Sequence, residues 1–567
     1  MGSDTTFRNP DFEVRKRVEQ KVVSDPISCG ADARPFLRGW IARWRCAVGW
    51  TLYLAVAAIV VFVAGAAAAQ TPPVDALRLY GMHCASCHGA DRFGGAGPAL
   101  LPENLERLRK PAAAETIANG RIATQMPAFG ATLTGTEIDA LVALVYAPPA
   151  QAPVWGAAEI AASRVVHHAD GTLPDRPQFT ADPLNLFVVV EAGDHHASVL
   201  DGDKLERIAR FPTRYALHGG PKFTPDGRYV FFASRDGWIA KYDLWNLKTV
   251  AEVRAGLNTR NIAVSADGKW VIAGNYLPHT LAVFDARDLA LVRLIAVADR
   301  SGKSSRVSAV YDAAPRKSFV VALKDVPEVW ELTYDPKAPP VYEGLVHDYR
   351  YGEGVAEKGP FPVRRIVLDD VLDDFFFDQH YDHLIGASRE AGKGQVVNLN
   401  VRRRIATVDL PGLPHLGSGI TWIRNGKPVL ATTNLRDGIV TVIDMKDWKV
   451  IATIKTNGPG FFLRGHEKSD YAWVDAMNSP AKDTLQVIDT RTLEVVKALT
   501  PAPGKVAAHV EFDRHGRYAL VSLWENDGAI VVYDAATLLE VKRIPANKPV
   551  GKYNVWNKIM HSAGTSH

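Results

Sequence analysis

The chain has 567 residues, 47% hydrophobic and 23% charged, an ordinary globular composition that excludes a largely disordered or fibrous protein. Its formal net charge of +4 is mostly local. Residues 1–46 hold nine Lys/Arg against six Asp/Glu, residues 47–69 hold no charge, and the rest carries a net of +1, without the basic excess of a nucleic-acid binder.

Residues 1–69 read as a leader. Arg38, Arg43 and Arg45 precede the uncharged run Ala47–Ala69, which ends in small residues before Gln70-Thr71-Pro72-Pro73. That order is a secretory signal with cleavage near Ala69, and it predicts export to the periplasm. A membrane anchor is the alternative, because about 20 apolar residues cross a bilayer. The stretch before Arg38 is long and polar for such a signal, which leaves the start codon open.

Residues 74–147 read as a small helical domain. A helix over Val74–His83 leads into Cys84, and Thr134-Gly135-Thr136-Glu137 is a capping-box pattern opening a second helix to Tyr146. Between them, Cys84-Ala85-Ser86-Cys87-His88 is C-x-x-C-H, the signature of covalent heme c attachment. Its two thiols bond the vinyl groups, and His88 falls under the iron as proximal ligand. With Cys84 and Cys87 so engaged, and Cys29 and Cys46 in the leader, no cysteine remains for a structural disulfide. The domain resembles class I cytochromes c, in which a Met before Pro in a loop is the usual sixth ligand. That implies Met126, 38 residues after His88, in Gln125-Met126-Pro127. Met82 adjoins the attachment site and is badly placed to reach the opposite face. Met126 as a packing residue is the alternative.

Residues 148–178 read as a linker, with Pro148, Pro149 and Pro153 stiffening it. From 179 to 560 the pattern becomes short strands in a repeat. Its markers are Asp201, Asp243, Asp285, Glu331, Asn398, Asp444, Asp489 and Asp534, with successive gaps of 42, 42, 46, 67, 46, 45 and 45 residues. The gap of 67 predicts an insertion within 336–362. Eight units at this period predict an eight-bladed β-propeller, because a four-stranded blade buries its faces only against neighbours.

A cytochrome c domain followed by such a propeller resembles the cytochrome cd1 nitrite reductases and their relatives, the dihydro-heme d1 dehydrogenases of the NirN type. The resemblance covers about residues 74–560. The segments that carry it are Tyr215-Ala216-Leu217-His218-Gly219-Gly220, Arg235-Asp236-Gly237 through Asp243-Leu244-Trp245, Leu413-Pro414-His415-Leu416-Gly417, and Gly551-Lys552-Tyr553-Asn554-Val555-Trp556-Asn557. It implies non-covalent heme d1 or dihydro-heme d1 at the propeller axis, with His218 on its iron. It also implies arginine clamps on the ring's carboxylates, for which Arg214, Arg235, Arg260 and Arg306 are the candidates.

The two branches of the family differ on the distal side. The reductases use two histidines there. One corresponds to His415, but the other falls where this chain reads Val371-Leu372-Asp373-Asp374, and His509 stands in place of a reductase glutamine. The resemblance therefore implies a dehydrogenase of heme d1 biosynthesis that oxidises a propionate side chain to an acrylate, with electrons leaving through heme c. His415, His509 and Tyr553 are its acid/base and positioning candidates. The implied partners are the tetrapyrrole, a small periplasmic cytochrome c or copper protein as electron acceptor, and the nitrite reductase that receives heme d1. Nitrite reduction and a non-enzymatic heme d1 carrier are the alternatives; a pure carrier has no need of heme c. The pairs His167-His168 and His195-His196 read as exposed linker and turn residues, with a metal site as the alternative.

Overall fold

The computed structural model describes residues 74–560, apart from 96, 107, 121–125, 152, 215, 218–219, 344–354, 358 and 388–391. The leader and His218 therefore lie outside the described residues. No helix among the described residues is long and apolar enough to cross a membrane.

The N-terminal helical domain is built on Ala76–His83 packed against Gly135–Tyr146. Thr134 and Glu137 close the expected capping box, each satisfying an orphan N–H of the other's turn. Buried Arg92 caps the far end of that helix, donating to the carbonyls of Leu144 at 2.6 Å and Ala147 at 3.1 Å.

The rest is a ring of eight four-stranded antiparallel blades. The ring closes by pairing its ends. The last strand, Pro549–Asn554, is the innermost strand of blade 1, beside Leu186–Glu191. Blades 2 to 8 then follow in chain order, their innermost strands starting at 222, 258, 307, 374, 420, 463 and 507. The stretch 148–178 is more than a spacer. Its helix Ala157–Ser163 buries Ile160 against blades 2 and 3, and Val165–Val166 adds a fifth, outer strand to blade 2.

The repeat marker has a local physical cause. In seven blades it ends the third strand, and its Oδ1 accepts the N–H of the residue two further on. This Asx turn is followed, four residues after the marker, by a left-handed residue: Leu205, Leu247, Leu289, Arg402, Trp448, Leu493 or Leu538. Blade 4 breaks the rule because its third and fourth strands are separated by the insertion, which carries the small hairpin Tyr342–Glu343 with Val355–Ala356. Its marker, Glu331, pairs instead with Arg316 at 2.8 Å and Arg364 at 3.3 Å.

Candidate functional site

At the heme c motif, half-buried Cys84 precedes the short helical turn Ala85–His88, which carries the exposed Cys87. His88 is 7% exposed, and its Nδ1 lies 2.7 Å from the Pro98 carbonyl. That carbonyl can only accept, so the ring proton sits on Nδ1 and Nε2 keeps a lone pair for a metal. Burial holds the imidazole below its ordinary pKa, in the neutral form that ligates iron. Gly97 lies flat on the ring; a Cβ there would come within 2.7 Å of it. The donor set fits a covalently attached heme c. Met126 is half-buried in the loop opposite Gly120.

The helical domain docks on the ring face that carries the loops entering each innermost strand. Arg254 donates to the carbonyls of Phe93 and Asp236 and lies 4.8 Å from the Trp155 ring. Asn104 donates to Leu257 O at 3.0 Å, and Glu106 pairs with Arg306 at 2.8 Å. Removing the Arg254 fork is expected to loosen this joint. A buried charge-assisted bond contributes about 1.5–3 kcal/mol, so Arg254→Ala should raise amide exchange around Phe93 and Gly94 by roughly 10-fold or more. Exchange in the blade 3 core at Ile272 and Ala273 should stay unchanged; equal rises at both places would mean the fold, not the joint, had weakened.

The axial wall is built by the innermost strands. Blade 3 contributes Arg260, blade 5 Asp374, blade 7 Arg464, blade 8 His509 and Glu511, and blade 1 Lys552 and Tyr553, while Lys558 comes from the C-terminal helix Val555–Met560. His415 precedes blade 6, and Lys222 opens blade 2. Cations outnumber acids here, and burial acts against every one of them. It pushes the Lys222 ammonium down to about 7, those of Lys552 and Lys558 well below their ordinary range, and lowers Arg464. Several buried polar atoms have no hydrogen-bond partner among the described residues: both ring nitrogens of His509, Arg464 Nη2, Lys558 Nζ and Asp374 Oδ2. Orphaned donors on an electropositive wall fit a ligand carrying several carboxylates.

His509 sits at a β-bulge. The register of the innermost strand breaks between Ala508 and Glu511, and His509 has a φ of 53°. A left-handed residue inside a strand turns its side chain out of the regular alternation. Its ring lies 4.7 Å from that of Phe462 and 5.0 Å from that of Tyr553. Burial and the neighbouring Lys552 and Arg464 hold the imidazole neutral, well below its usual pKa. His415 has its Nδ1 2.7 Å from Phe461 O, which puts the proton on Nδ1 and directs Nε2 as the acceptor. Burial lowers its pKa too. Tyr553 is fully buried, and burial pushes its phenol up, so it remains protonated. It lines a small pocket together with Leu217 and Gly220, either side of positions 218 and 219.

The expected arginine clamps divide. Arg260 stands on the axial wall. Arg235 lies 5.7 Å from the Tyr276 ring in the turn between the second and third strands of blade 2. Arg214 is elsewhere: it stacks on Trp238 at 3.8 Å and pairs with Glu252 on the fourth strand of that blade at 2.9 Å. Arg306 is also committed, to Asp325 at 2.7 Å and to Glu106 of the helical domain. Its fork anchors the joint between the helical domain and the ring, and its guanidinium lies 5.5 Å from the same Tyr276 ring. Among the paired histidines, His167 bonds Glu252 at 3.1 Å and His196 bonds the Asp194 carbonyl at 2.8 Å. Among the described residues no group of three His, Cys, Asp or Glu could hold a metal ion.

Sequence reading missed Arg464, Lys222, Lys552, Lys558 and Asp475. A signal for Arg464 existed. His218, Arg260, Arg464 and His509 each stand 25 residues before the marker of their own repeat. The lysines have no such regularity.

Residues 181–558 match the family Cytochrome D1 heme domain, and residues 73–145 match Cytochrome C oxidase, cbb3-type, subunit III. The chain is 56% identical to a dihydro-heme d1 dehydrogenase of Pseudomonas aeruginosa, over 88% of its own length and 97% of the relative's. It is 25% identical to a nitrite reductase of Stutzerimonas stutzeri, over 85% and 92%. A solved structure of dihydro-heme d1 dehydrogenase NirN in complex with DHE superposes with a TM-score of 0.79 at 56% identity, covering 85% of this chain and 99% of that one.

Proposed function

Since the chain belongs to the Cytochrome D1 heme domain family and, within it, to the dihydro-heme d1 dehydrogenases, we propose that it oxidises a propionate side chain of dihydro-heme d1 to an acrylate in the periplasm. One C–H bond on each of the two side-chain carbons breaks and a C=C bond forms. Two protons go to protein bases, and two electrons leave singly to a small soluble cytochrome c or copper protein. The observation that carries this reading is the axial wall, where two neutral buried histidines stand among unpartnered cationic donors.

His509 is the proton acceptor in this reading. Its unprotonated ring has both nitrogens without partners among the described residues. His415 presents Nε2, with its tautomer held by Phe461, and receives or relays the second proton. Tyr553 donates a hydrogen bond, because a raised phenol pKa makes it a poor base. Arg260, Arg464 and Lys558 pair with carboxylates and orient the ring, and His218 ligates the tetrapyrrole iron. Cys84, Cys87, His88 and Met126 hold heme c, which when bound accepts and releases one electron at a time. The run Ala47–Ala69 and the small residues that end it support export. The nitrite reductase that uses heme d1 is the expected recipient of the product.

The test is to incubate the purified holoprotein anaerobically with dihydro-heme d1 and an electron acceptor, and to weigh the extracted tetrapyrrole. A loss of two hydrogens is expected. Binding without a mass change, followed by nitrite turnover on loading with heme d1, would replace this reading with the reductase. Binding with neither activity would leave a carrier. The reductase reading is the weaker, because Asp374 stands near its second distal histidine position, accepting from the Tyr311 hydroxyl at 2.5 Å.

A further inference from the structure

Behind the two histidines lies a group that touches neither ring. Asp475, at the end of the second strand of blade 7, is 1% exposed. Its Oδ1 accepts the N–H of Phe461 at 2.8 Å and of Met477 at 3.3 Å, and its Oδ2 accepts the N–H of Phe462 at 2.9 Å. The His509 backbone N–H lies near enough to this carboxylate to favour its charged form. Lys552 Nζ donates to the His509 carbonyl and, at 3.0 Å, to Ser522 Oγ. The peptide group that follows the left-handed residue is therefore held. Through Phe461 the same carboxylate reaches His415: the Phe461 carbonyl accepts from His415 Nδ1, and the two rings lie 4.3 Å apart. Through Phe462 it reaches His509, whose ring packs on that phenyl.

We propose that Asp475 is the positioning residue that places both histidines for proton transfer, and that Lys552 completes the clamp on His509. The proposal rests on the dehydrogenase reading for its kinetic consequence but not for its structural one. The physical argument is acceptor geometry. A left-handed φ at a non-glycine residue is unfavourable and persists only where surroundings over-determine it. Here a buried carboxylate with two acceptor oxygens gathers the N–H groups of Phe461, Phe462 and Met477. An amide cannot replace it. Asparagine has one acceptor oxygen, so its NH₂ must face either Phe461 and Met477 or Phe462, a donor against a donor. Whichever way it turns, one histidine loses its support.

Asp475→Asn holoprotein is the experiment, with Lys552→Met as the second variant. Three quantities are read: kcat and substrate Kd, a crystal structure, and kcat in the His509→Ala background. In Asp475→Asn, kcat is expected to fall roughly 10- to 100-fold with Kd within about threefold, because a displacement near 1 Å costs about that much rate. In the crystal, His509 should leave the left-handed region or His415 should lose Phe461 O. In the His509→Ala background, Asp475→Asn should cost clearly less than in the wild type, since only its support of His415 is left to lose. A purely structural aspartate would multiply its effect with His509→Ala. That outcome overturns the proposal, as does an unmoved kcat with both histidines in place. If Asp475→Asn does not fold, Lys552→Met must show the same kcat loss and the same non-additivity, and failure to do so overturns it equally. Should the wild-type protein not dehydrogenate its substrate, the dehydrogenase reading fails by itself, and the crystal structure still decides the clamp.

Discussion

Replacing His509 with alanine is expected to slow dehydrogenation by about 10²- to 10⁴-fold, the usual contribution of a positioned general base, while tetrapyrrole affinity changes little. The bulge at Ala508–Glu511 directs this ring out of the strand's alternation, and burial keeps it unprotonated at neutral pH. The pH dependence follows from that sign. A base works in its unprotonated form, and this one's pKa lies well below 6.5. The wild-type rate should therefore be flat from neutral pH upward and fall only on the acid side. Stability has the same sense. The unfolded chain's His509 and His415 take up protons below about pH 6.5, while the folded chain resists protonation there. Stability is thus fully present above that pH and is lost as pH falls toward the depressed folded values. Stopped-flow rates and denaturant midpoints between pH 5 and 8 check both. A His509→Ala rate within a few-fold of wild type would move the base to His415.

Replacing both Cys84 and Cys87 with alanine is expected to abolish the covalent heme c absorbance and reduce turnover at least 100-fold, with tetrapyrrole binding retained. Binding should survive because no buried core cluster of the blades includes a residue before Trp155, so the propeller packs without the helical domain. Turnover should not survive, because the face on which that domain docks is the one that carries His415 and the turn Arg235-Asp236-Gly237. Mass analysis of the extracted product with a small-molecule oxidant separates the cases. Undiminished two-hydrogen loss would mean that electrons leave without heme c. Loss of binding would mean that the two domains fold as one.

Much of the architecture was legible because its causes are local. An Asx turn plus a left-handed residue four positions later is a short-range device, so the markers counted blades before any sheet was seen. The departure at Glu331 located the insertion for the same reason. C-x-x-C-H is likewise a covalent and coordination requirement written in five consecutive residues. The part that 148–178 plays in blade 2 is not legible in sequence, because its strand Val165–Val166 gains its meaning only from an edge supplied by residues 251 and 252.

The candidate site divides along the same line. The C-x-x-C-H motif was enough to single out His88, and the family resemblance pointed to His415, His509 and Tyr553. Which arginines face the axis was not readable. Arg214 and Arg260 have the same chemistry, and only the partners delivered by folding separate them: Glu252 and Trp238 for one, the axial wall for the other. The lysines of that wall and Asp475 were invisible for a related reason. Their roles come from burial and from backbone groups at 461, 462 and 509, brought together by blades 7 and 8. The sequence alone determined the number of blades and the heme c attachment, because these depend on contacts within a few residues. The tertiary structure decided which charges surround the axis, which anchor the helical domain and which carboxylate holds the histidines, because those depend on contacts between distant segments.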